Sequence, residues 1–154
     1  MSTIRDSIEV QVPLRTAYDQ WTQFEEFPRF MDGVESVTQL DDTHLQWTAE
    51  IGGQRRTWRA EITKQEPDRV IAWQSTEGAR NAGMVTFDQV NDDTARVNLE
   101  LDIEPEGPLE TAGDALGVID RRVKGDLERF KEFIESRRQP TGAWRGSVDQ
   151  GGAR

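Results

Sequence analysis

The period of the apolar residues changes twice along the chain, and each change marks a different kind of element. In IEVQVP, residues 8–13, apolar and polar residues alternate, which predicts a strand with one buried face. In PLRTAYDQW, residues 13–21, the apolar residues instead recur at intervals of four and three, the spacing of one helix face. The stretch FEEFPRFMDG, residues 24–33, predicts a second short helix that breaks or begins near its proline.

A period of two returns at Val34 and continues through the middle of the chain. In HLQWTAEI, residues 44–51, leucine, tryptophan, alanine and isoleucine alternate with polar residues. Turn-forming residues such as Gly52-Gly53 separate these segments at hairpin spacing and leave no room for helical crossovers. The pattern predicts an antiparallel meander of six strands, with one buried face and one solvated face.

Apolar residues then recur at intervals of three and four from Leu109 to Ile134, which predicts one long amphipathic helix. Gly113 and Gly117 lie inside it, where each glycine costs about 1 kcal/mol relative to alanine. They either thin the helix surface and leave room for a ligand, or allow close packing on a strand. The whole order predicts an α+β domain in which a strongly curved sheet of about seven strands wraps around the long helix.

The sequence after this helix predicts a division of the chain into a domain, residues 1–137, and a disordered tail, residues 138–154. The tail is rich in glycine and polar residues, a composition that cannot bury enough apolar surface to become ordered. Trp144 is the exception within it. This side chain either folds back over the sheet, docks on a partner protein, or lies in a segment that serves only as a spacer.

Composition excludes several classes of function. The net charge of −10 argues against binding nucleic acid or an anionic membrane surface, since both require clustered Lys and Arg. There is no cysteine, and the single histidine, His44, follows a turn and is expected to face solvent. We therefore expect no metal ion and no cofactor. No apolar run is long enough for a membrane span, and no secretory leader precedes the first strand, so we expect a cytoplasmic protein.

Two stretches resemble the START-like helix-grip superfamily, the polyketide cyclase/dehydrase and lipid-transport family, and most of all its coenzyme Q-binding START-type branch. They are VPLRTAYDQWTQFEEFPRFMDGVESV, residues 12–37, and GDLERFKEFIE, residues 125–135. The resemblance extends over residues 4–137. It implies a ligand cavity between the sheet and the long helix, and it implies that Phe27, Phe30 and Met31 shape or gate the entrance. Alternatively, these three residues only cap the open end of the sheet.

The strand pattern places three tryptophans on the buried face of the sheet, where they would form either ordinary core or an aromatic wall for a flat apolar ligand. Polar residues of the same parity are candidates for orienting such a ligand. The expected cavity residues are Trp47, Trp58, Trp73, Phe87, Leu99, Leu116 and Ile119, and the possible polar contacts are Arg56, Asp6 and Ser75.

Three functions are compatible with this pattern. The first is binding of a small apolar or aromatic molecule, such as a quinone, a polyketide or a lipid, without catalysis. The second is an aromatase/cyclase acting on a polyketide, which requires a general acid or base beside the cavity; Arg56, Asp6 and Tyr18 are the candidates. The third is an accessory, stress-related protein that acts through its acidic face or through the Trp144 tail.

Overall fold

One curled antiparallel sheet and one long helix account for most of the structure, a computed structural model that describes residues 2–51, 54–78, 80–103, 112–149 and 152–153. The elements follow in the predicted order: a strand, two short helices, six strands and the long helix. They are β1 (Ser2–Val10), α1 (Leu14–Trp21), a 3₁₀ helix (Phe24–Arg29), β2 (Val34–Gln39), β3 (His44–Ile51), β4 (Gln54–Glu66), β5 (Val70–Glu77), β6 (Asn81–Asn91), β7 (Thr94–Ile103), α2 (Ala112–Arg137), β8 (Val148–Asp149) and β9 (Gly152–Ala153).

The sheet is a meander whose first strand joins its far end. The seven long strands lie in the order β1-β7-β6-β5-β4-β3-β2, and every neighbouring pair is antiparallel. Chain neighbours pair throughout, except that β1 pairs with β7 along its whole length, from Ser2 opposite Ile103 to Val10 opposite Ala95. The α+β helix-grip fold expected from the sequence is confirmed.

Helix α2 buries the apolar stripe that its sequence predicted. Val123, Leu127, Phe130 and Ile134 are at most 7% exposed, and their spacing of four, three and four keeps them on one face of the helix. Gly113, Gly117 and Leu116 also belong to α2, but the surroundings of these residues lie outside the described part of the structure. The two interpretations of the glycines therefore stay open.

The aromatic stretch after α1 is covered by the protein itself. Phe24, Phe27 and Phe30 are at most 5% exposed. The rings of Phe30 and Phe130 have centroids 5.3 Å apart, and Trp21 meets Phe130 edge-on at 4.8 Å. These edge-to-face contacts of α2 with α1 and with the residue after the 3₁₀ helix fill one end of the space enclosed by the sheet.

Residues 138–149, which composition predicts to be disordered, lie against α1 and β4 in the structure. Val148 is 2% exposed and pairs with Gln65 of β4. The backbone N–H of Trp144 donates a hydrogen bond to the hydroxyl of Thr22. Composition predicts disorder because the segment has few apolar residues. In the structure, polar contacts hold the segment in addition to the apolar side chains of Trp144 and Val148.

Candidate functional site

The sheet, α2 and the segment from α1 to Met31 enclose a cavity of about 200 Å³. Among the described residues, its wall is mostly aromatic and aliphatic, and three polar side chains interrupt it. The lining comprises Trp21, Phe24, Phe27, Met31, Leu45, Trp47, Trp58, Ile62, Ile71, Trp73, Asn81, Leu99, Leu101, Ile103, Ile119, Arg122, Val123, Asp126 and Leu127.

A pair of stacked tryptophans forms part of this wall. Trp47 of β3 and Trp58 of β4 are direct cross-strand neighbours, so the antiparallel register places their side chains side by side on the same face. Their ring centroids are 5.8 Å apart and their planes differ by 6°. Both indole nitrogens are buried without a hydrogen-bond partner. A buried donor without an acceptor costs about 1–3 kcal/mol, so the pair is held by packing against this cost.

Trp73 reaches the cavity because its cross-strand neighbour is a glycine. Gly83 of β6 lies directly opposite Trp73 of β5. A Cβ atom at position 83 would overlap the indole ring of Trp73, which therefore lies across the glycine backbone. The missing side chain at position 83 thus allows the indole ring of Trp73 to lie flat on the sheet.

Asp126 is a titratable group in the cavity lining. Its carboxylate accepts hydrogen bonds from the backbone N–H of Asp32, at 2.8 Å, and from the guanidinium of Arg129. Burial raises the pKa of Asp126 above its ordinary value, although these two hydrogen bonds act in the opposite direction. The carboxyl group consequently keeps its proton to a higher pH than a solvated aspartic acid.

Arg122 lies one helical turn before Asp126 and fixes the same end of the cavity. Its guanidinium donates to the backbone carbonyl of Glu50, and Arg129 donates to the carbonyl of Phe30 at 3.0 Å. Through these bonds α2 holds both β3 and the chain that follows the 3₁₀ helix. Neither Arg122 nor Asp126 is among the site residues predicted from the sequence. The available signal was their spacing of four beside the apolar residues Val123 and Leu127, which places them at the border of the buried stripe.

The structure brings most of the sequence-predicted cavity residues into one wall. Of the predicted cavity and entrance residues, Trp47, Trp58, Trp73, Leu99, Ile119, Phe27 and Met31 line the cavity. The side chain of Leu116 lies outside the described part of the structure.

Two predicted residues lie in the packed core instead. The ring of Phe87 meets Tyr18 edge-on at 5.3 Å and is 5% exposed, because α1 covers this end of the sheet. Phe30, expected at the entrance, is 2% exposed and packs between Trp21 and Phe130. Neither side chain is part of the cavity lining.

The predicted polar contacts also lie outside the lining. The Oδ1 atom of Asp6, on the edge strand β1, accepts the N–H of Ser7, while its Oδ2 atom is buried without a partner. Arg56 hydrogen-bonds to Gln54 near the start of β4. Ser75 accepts the backbone N–H of Asn81, so it supports a lining residue from behind. Inward parity therefore does not bring these three side chains to the cavity.

His44 belongs to a polar cluster at the turn before β3. Its Nδ1 atom lies 2.9 Å from Asp41 Oδ1, and its Nε2 atom lies 3.4 Å from Glu61. The hydrogen bond to Asp41 raises the pKa of His44. The backbone N–H of Thr43 and the imidazole together lower the pKa of Asp41 to about 2. The cluster is half-exposed and contributes nothing to the cavity lining. The described residues include no group of three or more His, Cys, Asp or Glu side chains arranged to hold a metal ion.

Comparison with known proteins identifies the family. Residues 10–133 match the family described as polyketide cyclase / dehydrase and lipid transport. The chain belongs to this family. An "uncharacterized 17.2 kDa protein in melC2-rnhH intergenic region" of Streptomyces lincolnensis is 51% identical over 149 residues, which cover 96% of this chain and 99% of that protein. The family match ends before α2 does, so the segment after α2 lies outside it.

Solved structures share the fold at low sequence identity. The Zhui aromatase/cyclase from Streptomyces sp. R1128 superposes with a TM-score of 0.75 at 16% identity, over 93% of this chain and 99% of that one. A START superfamily protein from Mycobacterium smegmatis superposes with a TM-score of 0.70 at 16% identity, over 88% and 95%. None of the described helices combines the length and apolarity that crossing a bilayer requires.

Proposed function

We propose that this protein binds a small, flat, apolar or aromatic molecule in the cavity between the sheet and α2. The observation that carries the proposal is the apolar cavity with the stacked pair Trp47 and Trp58 in its wall. Aromatic side chains offer a large rigid surface, and stacking on a ligand ring stabilises it beyond simple burial of area. Binding then consists mainly of removing the ligand from water into a preformed pocket.

The size of the cavity narrows the ligand class. An apolar cavity of about 150 Å³ holds benzene, whereas pockets for drug-sized ligands have about 300–1,000 Å³. A cavity of about 200 Å³ therefore suits a molecule of one or two rings. A whole lipid, or the isoprenoid chain of coenzyme Q, is larger than this volume. Filling such an apolar pocket removes apolar surface from water, which favours an occupied state.

The polar residues of the lining suggest that the ligand carries a polar group. Arg122 and Asp126 interrupt the wall on the side of α2, and Asn81 interrupts it on the side of β6. A ring with one hydroxyl or carbonyl group could exchange a hydrogen bond with one of these side chains. An oxygenated ring compound of the quinone or phenol type therefore fits better than a pure hydrocarbon.

Calorimetric titration of the protein with 1,4-naphthoquinone and with palmitate tests this proposal, together with native mass spectrometry of freshly purified protein for a ligand that copurifies. We expect saturable binding of naphthoquinone and weaker binding of palmitate. Leu99→Trp, which fills the cavity from β7, is expected to weaken naphthoquinone binding at least about tenfold, since its ring would occupy the ligand volume. Leu40→Trp is the matched control, because Leu40 is 47% exposed. Equal affinities of the two variants would refute cavity binding.

Cyclisation of a short polyketide is the second candidate, and the observation that favours it is the raised pKa of Asp126 in the cavity lining. An intramolecular aldol step needs a group that removes an α-proton and a group that protonates the carbonyl oxygen. Tyr18, considered from the sequence for this role, is fully buried and hydrogen-bonded to Gln65. A turnover assay with a short β-keto thioester would test this, with Asp126→Asn expected to lower kcat while leaving KM nearly unchanged.

The third interpretation, a protein contact through Trp144, stays a prediction. In the structure Trp144 is partly buried and packs against the protein's own core. A partner would therefore have to displace this side chain before it could use it as an anchor.

A further inference from the structure

One short stretch of chain separates the cavity from the segment that follows α2. From Asp19 to Phe24 the chain leaves α1 and enters the 3₁₀ helix. Trp21 and Phe24 point to the cavity and form part of its lining. Asp19, Gln20, Thr22 and Gln23, the residues between and before them, instead contact residues 141–145. The wall of the cavity and the docking surface of the C-terminal segment are thus two faces of the same six residues.

The docking contacts are specific hydrogen bonds at buried groups. Gln20 is fully buried; its Nε2 donates to the Thr141 hydroxyl at 3.0 Å, and its Oε1 accepts the Thr141 backbone N–H at 2.8 Å. The hydroxyl of Thr22, 2% exposed, accepts the N–H of Trp144 at 3.1 Å. Without the segment, these buried groups would have to find water or other partners.

Arg145 makes the strongest of these contacts. Its guanidinium bonds to the carboxylate of Asp19 and to Asp68 Oδ2 at 2.8 Å, and it lies 5.6 Å above the ring centroid of Tyr18. Asp19 is 6% exposed and stands in the last turn of α1, where the helix dipole disfavours a negative charge. A buried carboxylate there requires a cation, and Arg145 supplies it from the C-terminal segment.

We propose that Arg145 is a positioning residue for the ligand cavity: by docking residues 141–145 on the outer face of Asp19–Gln23, it holds Trp21 and Phe24 in the cavity wall. The proposal rests on the function proposed above. Loss of Arg145 leaves the carboxylate of Asp19 to draw water into the end of α1. The last turn of the helix then loosens and the position of Trp21 changes. By thermodynamic linkage, a ligand that binds the ordered wall in turn strengthens the docking of the segment.

Arg145→Met is the test variant, because it removes the charge and retains a long apolar stem. Arg15→Met is the matched control: Arg15 also pairs with Asp19, at 3.7 Å, but from the exposed side of α1. We expect Arg145→Met to weaken 1,4-naphthoquinone binding at least about fivefold, the lower range of ordinary coupling between sites. Arg15→Met is expected to remain within about twofold of the unmodified protein, since exposed pairs contribute little. Arg145→Lys, which keeps the cation, should recover part of the affinity.

Two further measurements separate positioning from a merely structural role. Saturating naphthoquinone is expected to slow hydrogen exchange at the Trp144 and Thr141 amides of the unmodified protein, and to leave it unchanged in Arg145→Met. The indole N–H resonance of Trp21, assigned with Trp21→Phe, is expected to shift in ligand-free Arg145→Met and to stay in place in Arg15→Met. A lower Tm with unchanged affinity, unchanged exchange and an unmoved Trp21 resonance would overturn the proposal.

The indole N–H resonance of Trp21 in the ligand-free protein also separates failure of the proposal for Arg145 from failure of the proposed function. If naphthoquinone binds neither the unmodified protein nor any variant, the proposed function fails for this ligand class. The Trp21 resonance then still decides whether Arg145 positions the wall.

Discussion

The indole rings of Trp47 and Trp58 lie nearly parallel across two neighbouring strands, and neither N–H group has a hydrogen-bond acceptor. Packing therefore holds the pair against the cost of two unsatisfied donors. Trp58→Phe keeps a stacked ring and removes one of these donors, so we expect it to lower the free energy of unfolding by only about 1 kcal/mol. Trp58→Ala, which removes the whole ring, should cost about 3 kcal/mol or more.

Urea unfolding of the two Trp58 variants measures this difference. If Trp58→Phe were as destabilising as Trp58→Ala, the N–H group would have to be contributing a bond that the structure does not show.

The second prediction concerns the imidazole of His44, whose pKa the hydrogen bond to Asp41 raises above 6.5. Stability from this interaction is fully present below pH 6.5, the ordinary value, and is lost as the pH rises through the folded-state pKa. Asp41→Asn should lower the pKa of His44, whereas Asp42→Asn should leave it unchanged. The chain has a single histidine, so one imidazole resonance in an NMR titration reports the result directly. An unchanged titration in Asp41→Asn would show that the hydrogen bond does not persist in solution.

The carboxyl group of Asp126 gives a pH dependence from the cavity itself. Burial raises its pKa above 3.8, so the folded protein holds this proton more tightly than the unfolded chain does. The contribution of Asp126 to the free energy of unfolding therefore falls as the pH rises from 3.8 through the folded-state pKa. Asp126→Asn lacks this loss, and its stability relative to the unmodified protein should improve across the same interval. Unfolding curves over a pH series measure the change, and an NMR titration of Asp126 at or below its ordinary pKa would contradict the prediction.

The glycines at positions 83 and 125 are expected to respond in opposite ways to alanine. Gly83→Ala places a methyl group in the ring of Trp73, so the indole must move, at a cost of about 1–3 kcal/mol. At Gly125 of α2, the atoms nearest to the added methyl group belong to the guanidinium of Arg129, at 3.0 Å, which is the far end of a long side chain. Gly125→Ala should therefore gain up to about 1 kcal/mol of helix propensity.

Thermal unfolding of both alanine variants provides the comparison, with each serving as the control for the other. A destabilised Gly125→Ala variant would indicate that the contact with Arg129, which bonds to Asp126, matters more than propensity.

The fold was predictable because its elements differ in apolar period. A period of two in the meander and intervals of three and four in α2 each report which face is buried, and the order of the elements restricts the topology. The alternation shows which residues point inward, but it could not distinguish cavity residues from core residues, because this difference depends on position along the strand. On β7, Leu99 and Leu101 line the cavity, whereas Val97, two residues earlier, is fully buried where α1 covers the strands.

Contacts between polar groups distant in sequence left no such pattern. Arg145 and Asp19 are 126 residues apart, and nothing in their local sequence links them. Asp126 lies beside the apolar stripe of α2, where a carboxylate is usually solvated, and only the packed structure shows that its side chain is just 17% exposed. These are the features on which the proposed site and its positioning residue depend.

The pairing of β8 with β4 has a consequence for how molecules of this protein meet one another. Strand β3 follows β4 only as far as Glu61, and Val148 takes the free side of β4 opposite Gln65. An uncovered strand edge offers its backbone groups to strands of other molecules and is a common starting point for aggregation. The segment after α2 thus covers this part of the β4 edge. A chain that lacked the segment would be prone to edge-to-edge association in solution.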